Sequence, residues 1–240
     1  MTEIDGDLNK LAVEITRFAK EPLNERLRFW AEYFRGYPYL DSPLGEGFER
    51  PRIRTDGFDC MTYVETCLAL AISESAEDIL TNLDRIRYRD GVADFEHRNH
   101  FVSLDWLPNN RWLLRPLDEF SDTSITRDID RAAFFEKNGH RLSAESELTG
   151  VEHIESRIIS PSGFTEISLS RLDCTVAMFA GRLDWMVVSH MGLLFAEGDE
   201  IILRHASSVH RKVVELPLSD YFEINRSLRG AICAEIFDNP

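Results

Sequence analysis

Cys60, His190 and His205 are the residues whose types and settings could together make a nucleophile. Cys60 follows Phe58-Asp59 and opens the run Cys60-Met61-Thr62-Tyr63-Val64-Glu65-Thr66-Cys67-Leu68-Ala69-Leu70-Ala71, which is apolar on most faces. A thiol at the start of a helix gains from the partial positive charge there, and a neighbouring imidazole lowers its pKa further. His190 begins the β-type run His190-Met191-Gly192-Leu193-Leu194-Phe195-Ala196, and His205 ends the run Glu200 to His205. A turn at Glu197-Gly198-Asp199 pairs the two runs antiparallel and brings both imidazoles to one edge. A base together with a second polar group that orients it is the recurring way to activate a thiol. The plainer reading makes Cys60 a small buried hydrophobe and the two histidines ordinary strand residues.

A second group lies mid-chain, in Arg98-Asn99-His100-Phe101 and Asp105-Trp106. Functionally these are binding groups for a sugar or a peptide carboxylate, the arginine through a bidentate contact and Trp106 by stacking. Structurally, Arg98 pairs with Asp105 and Trp106 fills core. His97 and His100 stand at i, i+3 without the Glu of H-E-x-x-H, and none of the four cysteines forms C-x-x-C, so the pattern does not point to a metal. Thiol chemistry of this kind requires neither a metal nor an organic cofactor.

The elements that must position these residues are partly legible. Ile4, Leu8, Leu11, Ile15 and Phe18 fall at helical spacing, Pro22 restarts the helix, and Leu23, Leu27, Trp30 and Phe34 continue it to Gly36. Gly36 to Gly57 reads as an irregular loop. A buried helix then spans 58–72 with Asp59 as N-cap, and another runs from Ala76 to Tyr88 behind Ser75. In the C-terminal half, Cys174–Ala180, His190–Ala196, Glu200–His205, Arg211–Leu216 and Gly230–Phe237 are short strands. Helices first and strands later predict an α+β fold, with helices in 1–35 packed on an antiparallel sheet in 174–237. The segment 91–170 has no clear period and reads as a long loop, charge-rich around Ser121 to Ser162.

Composition narrows the partners. With 27 Lys and Arg against 42 Asp and Glu, the net charge is −15. Such a chain repels phosphate backbones and anionic bilayers, so neither a nucleic-acid nor a membrane partner is expected. No run reaches the length of a membrane span, and Met1-Thr2-Glu3-Ile4-Asp5-Gly6-Asp7 lacks the basic and apolar regions of a secretory signal. The expectation is a cytoplasmic protein, or one exported by a signal-independent route. Seven residues apart in one helix, Cys60 and Cys67 cannot bridge each other.

The motifs in their order resemble the NlpC/p60 superfamily of papain-like cysteine peptidases, and more narrowly its N-acetylmuramoyl-L-alanine amidase-like branch. The matching residues are Gly36-Tyr37-Pro38-Tyr39, Asp59-Cys60-Met61-Thr62-Tyr63-Val64-Glu65-Thr66, Arg98-Asn99-His100-Phe101, Asp105-Trp106, His190-x-Gly192 and His205-Ala206, spread over about 30–237. The resemblance implies a papain-like α+β fold and one catalytic domain over 1–240. It also implies Cys60 as nucleophile, His190 as general base, His205 as the group orienting it, and Tyr39 lining the cleft. The implied activity is hydrolysis of an amide bond in peptidoglycan or a muropeptide, without cofactor. Two further readings stand beside this one, the first supported by the missing signal, since members of this branch are often periplasmic or extracellular. One is an effector that uses the same triad on a host protein, as deamidase or protease and with an inhibitor as a conceivable partner. The other is an inactive module that binds cell wall or peptide.

Overall fold

A computed structural model describes residues 4–5, 8–44, 53–137, 139, 140, 142, 146, 148–181 and 183–237. Most of the acidic start of the chain, and 45–52 of the segment read as a loop, lie outside the described residues.

Ile4 does not begin the first helix. It belongs to a short strand β1 (Ile4–Asp5) that pairs in parallel with β2 (Ile53–Arg54), and α1 (Leu8–Phe18) starts after it. From α1, Leu11 and Ile15 are buried, and α2 (Leu23–Tyr33) adds Leu27, Trp30 and Ala31. Phe18 and Phe29 lock the two helices together at 4.0 Å between ring centroids.

The central helix α3 (Cys60–Ile72) is capped as its sequence predicts. Asp59 accepts from the Thr62 N–H at 2.7 Å while the Thr62 hydroxyl accepts from the Asp59 N–H at 3.0 Å. A reciprocal cap of this kind contributes about 1 kcal/mol. After it, α4 (Asp78–Arg87) starts later than the sequence suggested, because the Asp78 carboxylate takes both the N–H and the hydroxyl of Ser75 at 2.8 Å. Glu65 of α3 and Arg87 of α4 form a fully buried ion pair at 2.8 Å.

The middle of the chain is more ordered than expected. One π-helical turn, Val102–Trp106, leads into α5 (Leu107–Asn109) and β3 (Leu114–Pro116). Then β4 (Thr123–Asp130), α6 (Arg131–Lys137) and β5 (Val151–Ile158) form a two-stranded antiparallel arm, in register from Thr123↔Ile158 to Asp130↔Val151. Only Ile125 and Ile129 of β4 are buried apolar side chains. Two apolar positions are too few for a period of two to stand out.

A short α7 (Leu169–Leu172) precedes β6 (Thr175–Ala180), β7 (Val188–Glu197), β8 (Glu200–Ser207) and β9 (Lys212–Pro217). The chain closes with α8 (Leu218–Ile224) and β10 (Gly230–Ile236). The main sheet runs β3-β10-β6-β7-β8-β9, every neighbouring pair antiparallel. Its inner strands are covered on both faces, which explains their unbroken apolar runs. On β6, Val176, Met178 and Ala180 face the core shared with α2 and α3, while Ala177 and Phe179 face α7 and α8. Each large aliphatic side chain buried this way contributes about 1.5–3 kcal/mol. The result is a mixed α and β fold around an antiparallel sheet, as the order of elements predicts. No described helix is long and apolar enough to cross a membrane.

Candidate active site

Cys60 is the first residue of α3; the residue keeps some surface, while its sulfur is enclosed. Its surroundings are assembled from segments far apart in sequence. At Gly57 a Cβ would stand 2.8 Å from the Pro38 carbonyl and 2.7 Å from Leu40, so only glycine lets residues 38–40 lie alongside the helix entrance. There the Phe58 N–H donates to the Pro38 carbonyl at 3.0 Å and the Leu40 N–H to the Phe58 carbonyl at 2.9 Å. On its other side the same segment is tied to the sheet, with the Tyr39 N–H donating to the Arg211 carbonyl and the Gly36 N–H to the Val213 carbonyl, both at 2.9 Å. Residues 36–40 are therefore an ordered bridge, not the irregular loop their Gly and Pro content suggested. Their function in the fold is to hold Tyr39 beside Cys60.

The electrostatics of the thiol differ from the expectation. Burial, and then the adjacent Asp59 carboxylate, push the Cys60 thiol up to about 12. The N–H groups of Met191, Cys60 and Met61 act in the opposite direction and do not prevail. The helix terminus was expected to lower this pKa. The carboxylate that caps the helix sets a negative charge next to the sulfur and offsets that help. Tyr39 is also held protonated, pushed up to about 12 by burial and then by the Cys60 sulfur. Its hydroxyl is thus a standing proton donor next to the thiol.

The backbone contact with Met191 brings the sulfur to β7, one residue from His190. The Nε2 of His190 meets the Nδ1 of His205 at 2.7 Å, with the rings nearly perpendicular at 88°. Gly192 makes room for this meeting. The β7–β8 pairing ends at Leu193↔Arg204, and Gly192 and His205 are the next residues beyond it. A Cβ at Gly192 would lie 2.9 Å from the Arg204 carbonyl and 3.0 Å from the His205 Cβ. Burial, and then the charge of His210, lower the His205 pKa to about 4, so this imidazole is neutral near pH 7. Tyr221 of α8 packs on both rings, stacked on His190 at 5.9 Å and edge-on to His205 at 5.3 Å. Nothing in the apolar periodicity singled out Tyr221, since its contact with the histidines is made between α8 and the face of the sheet it covers, far apart in sequence.

The mid-chain residues find partners of their own. Trp106 is 0% exposed and lies in the main core, so the stacking face expected of it is closed. Asp105 pairs with Arg131 of α6 at 2.6 and 3.0 Å and accepts from the Phe101 N–H, which corrects the expected Arg98 partner. His100 lies between Phe95 and Phe135 with its Nε2 on the Phe95 carbonyl at 2.8 Å, and burial lowers its pKa to about 4. Arg98 is part-buried and bridges by backbone to Tyr88. His97 turns to Asp94 at 2.8 Å. Asp105, His100 and Phe101 thereby tie this segment to α6.

The chain has similar proteins among those already known. Residues 30–228 match the family described as N-acetylmuramoyl-L-alanine amidase-like. No curated protein in the comparison matches the chain. Among solved structures, a Legionella pneumophila protein is similar with a TM-score of 0.81 and 23% identity, over 96% of this chain and 95% of that one. A Bacteroides uniformis protein named as an N-acetylmuramoyl-L-alanine amidase has a TM-score of 0.74 and 22% identity, over 89% of this chain and 100% of that one. A Bacteroides fragilis protein with a provisional xylanase name has a TM-score of 0.70 and 25% identity, over 86% of this chain and 99% of that one. At such identities these likenesses are likenesses of fold.

Proposed function

The chain belongs to the N-acetylmuramoyl-L-alanine amidase-like family, and from that premise we propose that it is a peptidoglycan amidase in which Cys60 is the nucleophile. The observation that carries this reading is the contact of the Cys60 sulfur with the strand of His190, whose Nε2 is held by His205 at 2.7 Å. We take a thiol at a helix start, a base on a neighbouring strand and a third group behind the base as a papain-like NlpC/p60 site. We read 1–240 as one catalytic domain on the same ground.

With Nε2 engaged by His205, proton exchange with the thiol runs through Nδ1 of His190. The thiol is held protonated at rest, so the proton leaves as the sulfur attacks. His190 takes the proton from Sγ and the sulfur adds to the amide carbonyl carbon. The oxyanion is met by the Cys60 N–H at the helix start and by the Tyr39 hydroxyl. His190 then returns the proton to the leaving nitrogen, the C–N bond breaks, and a thioester remains. Water loses a proton to His190 and adds to the thioester, and the acid leaves as the thiol is restored. His205 is a positioning residue that fixes the imidazole. The peptidoglycan substrate follows from the family, and the muramoyl–L-Ala amide is the bond its name indicates.

The direct test is turnover of purified muropeptides by Cys60→Ala. Loss of product with an unchanged circular dichroism spectrum supports the reading; full activity of the variant would overturn it.

A further inference from the structure

Trp185 keeps 44% of its surface open to solvent, an unusual state for so large an aromatic side chain. It sits in the turn 181–187 between β6 and β7 and stacks on Phe134 of α6, with ring centroids 5.5 Å apart and planes inclined by 29°. The turn is tied to the arm by the Arg127 Nε, which donates to the Leu183 carbonyl at 3.0 Å. Between them opens a cavity of about 330 Å³, lined by Asp128, Asp130, Ala133, Phe134, Lys137 and Trp185.

The lining specifies a ligand class. Asp128 and Asp130 are two apart on β4 and so project to one face. Each is oriented by a neighbour, Asp128 by His153 Nδ1 at 2.7 Å and Asp130 by the Ala133 N–H at 2.9 Å. A carboxylate has two oxygens and is purely an acceptor, so the second oxygen of each suits a hydroxyl donor. A flat aromatic face beside acceptor groups complements a pyranose, whose C–H face covers the ring while its hydroxyls donate outward. The Lys137 ammonium in the same lining offsets only one of the two carboxylates, so an anion meets net negative charge, and a wholly apolar ligand would strip water from these groups without replacement. In the larger cavity along α4, about 640 Å³, the Trp112 ring already carries the Arg85 guanidinium 3.5 Å over it, whereas the Phe134 stack covers one face of Trp185 and leaves 44% of the residue open.

We propose that the Trp185–Phe134 cavity is a sugar-binding subsite that takes a pyranose ring of the glycan part of the substrate. It rests on the amidase reading only in joining sugar and scissile amide in one molecule. Trp185 lies five positions before His190, at most about 17 Å of extended chain. A glycan held at Trp185 therefore lies close enough to present its peptide branch to Cys60.

The test is calorimetric titration with tri-N-acetylchitotriose, which carries no peptide. The wild-type protein is expected to bind with a millimolar Kd. Trp185→Ala, and separately the pair Asp128→Asn and Asp130→Asn, are expected to weaken binding about tenfold or more, as truncation of an anchor does. The rate of Cys60 alkylation should be the same in all three. No heat of binding to the wild type, or equal binding by Trp185→Ala, overturns the subsite. The amidase reading fails by a different result, unimpaired muropeptide turnover in Cys60→Ala, whatever the sugar does.

Discussion

The imidazole of His205 reaches His190 at 2.7 Å across the space that Gly192 leaves on the opposite strand. Side chains two apart on β7 share a face. A side chain at Gly192 would stand where His205 leans toward His190. The glycine in His190-x-Gly192 is thus explained by packing, since it makes the histidine pair possible.

Gly192→Ala is therefore expected to damage catalysis out of proportion to its size. The added methyl meets backbone at 2.9 Å, and overpacking of this sort costs about 1–3 kcal/mol. With His205 displaced, kcat should fall and KM should change little, and the pH profile of kcat/KM should shift with the freed imidazole. An unchanged profile would show that His205 does not position the base.

The Cys60 thiol, pushed up to about 12 by burial and Asp59, gives a prediction about reactivity. Iodoacetamide labelling at Cys60 should still be climbing above pH 8.5, near the ordinary thiol pKa of about 8.5. A plateau reached near pH 6 would reveal a resting thiolate and contradict the protonated thiol. Asp59→Asn keeps a capping oxygen and removes the charge, so it should speed labelling several-fold while stability stays within about 1 kcal/mol.

Tyr39, held protonated beside the sulfur, is placed to donate to the oxyanion. Tyr39→Phe should lower kcat by about 10-fold to 100-fold, the scale for losing one such donor. Its Cys60 alkylation should stay near wild type, since no oxyanion forms in that reaction. Equal turnover by the variant would reduce Tyr39 to packing.

Stability should depend on pH through His205, whose folded pKa is lowered to about 4 by burial. The unfolded chain binds this proton near the ordinary value of about 6.5 and the folded chain does not. Stability is therefore fully present above that value and is lost as pH falls toward 4, by up to about 3 kcal/mol for this one group. Urea unfolding at neutral and mildly acidic pH measures the loss, and His205→Gln should flatten it.

In the core, Arg87→Met leaves Glu65 charged and unpaired at 0% exposure. A destabilisation of about 3–5 kcal/mol is expected in thermal unfolding. Replacing both partners by Met should recover most of it. A double variant no better than the single one would mean that the pair itself contributes net stability.

Local signals in the sequence determined much of this protein. The unbroken apolar runs marked the inner strands, Glu197-Gly198-Asp199 marked the turn, and Asp59 three residues before Thr62 marked the start of α3. With those elements came Cys60 at a helix terminus and the meeting of His190 with His205, because a short turn fixes which residues face each other. Tertiary structure alone decided what depends on segments far apart in the chain. Gly57 admits Tyr39 to the thiol, Asp105 finds Arg131 where Arg98 was expected, and Trp106 goes to the core. The arm β4-α6-β5 escaped notice because so few of its side chains are buried, and with it the exposed face of Trp185. Periodicity reports which face of an element is buried, but not which distant group it is buried against. The raised thiol pKa belongs to that second kind of fact, since desolvation and neighbouring charge exist only once the chain has packed around the sulfur.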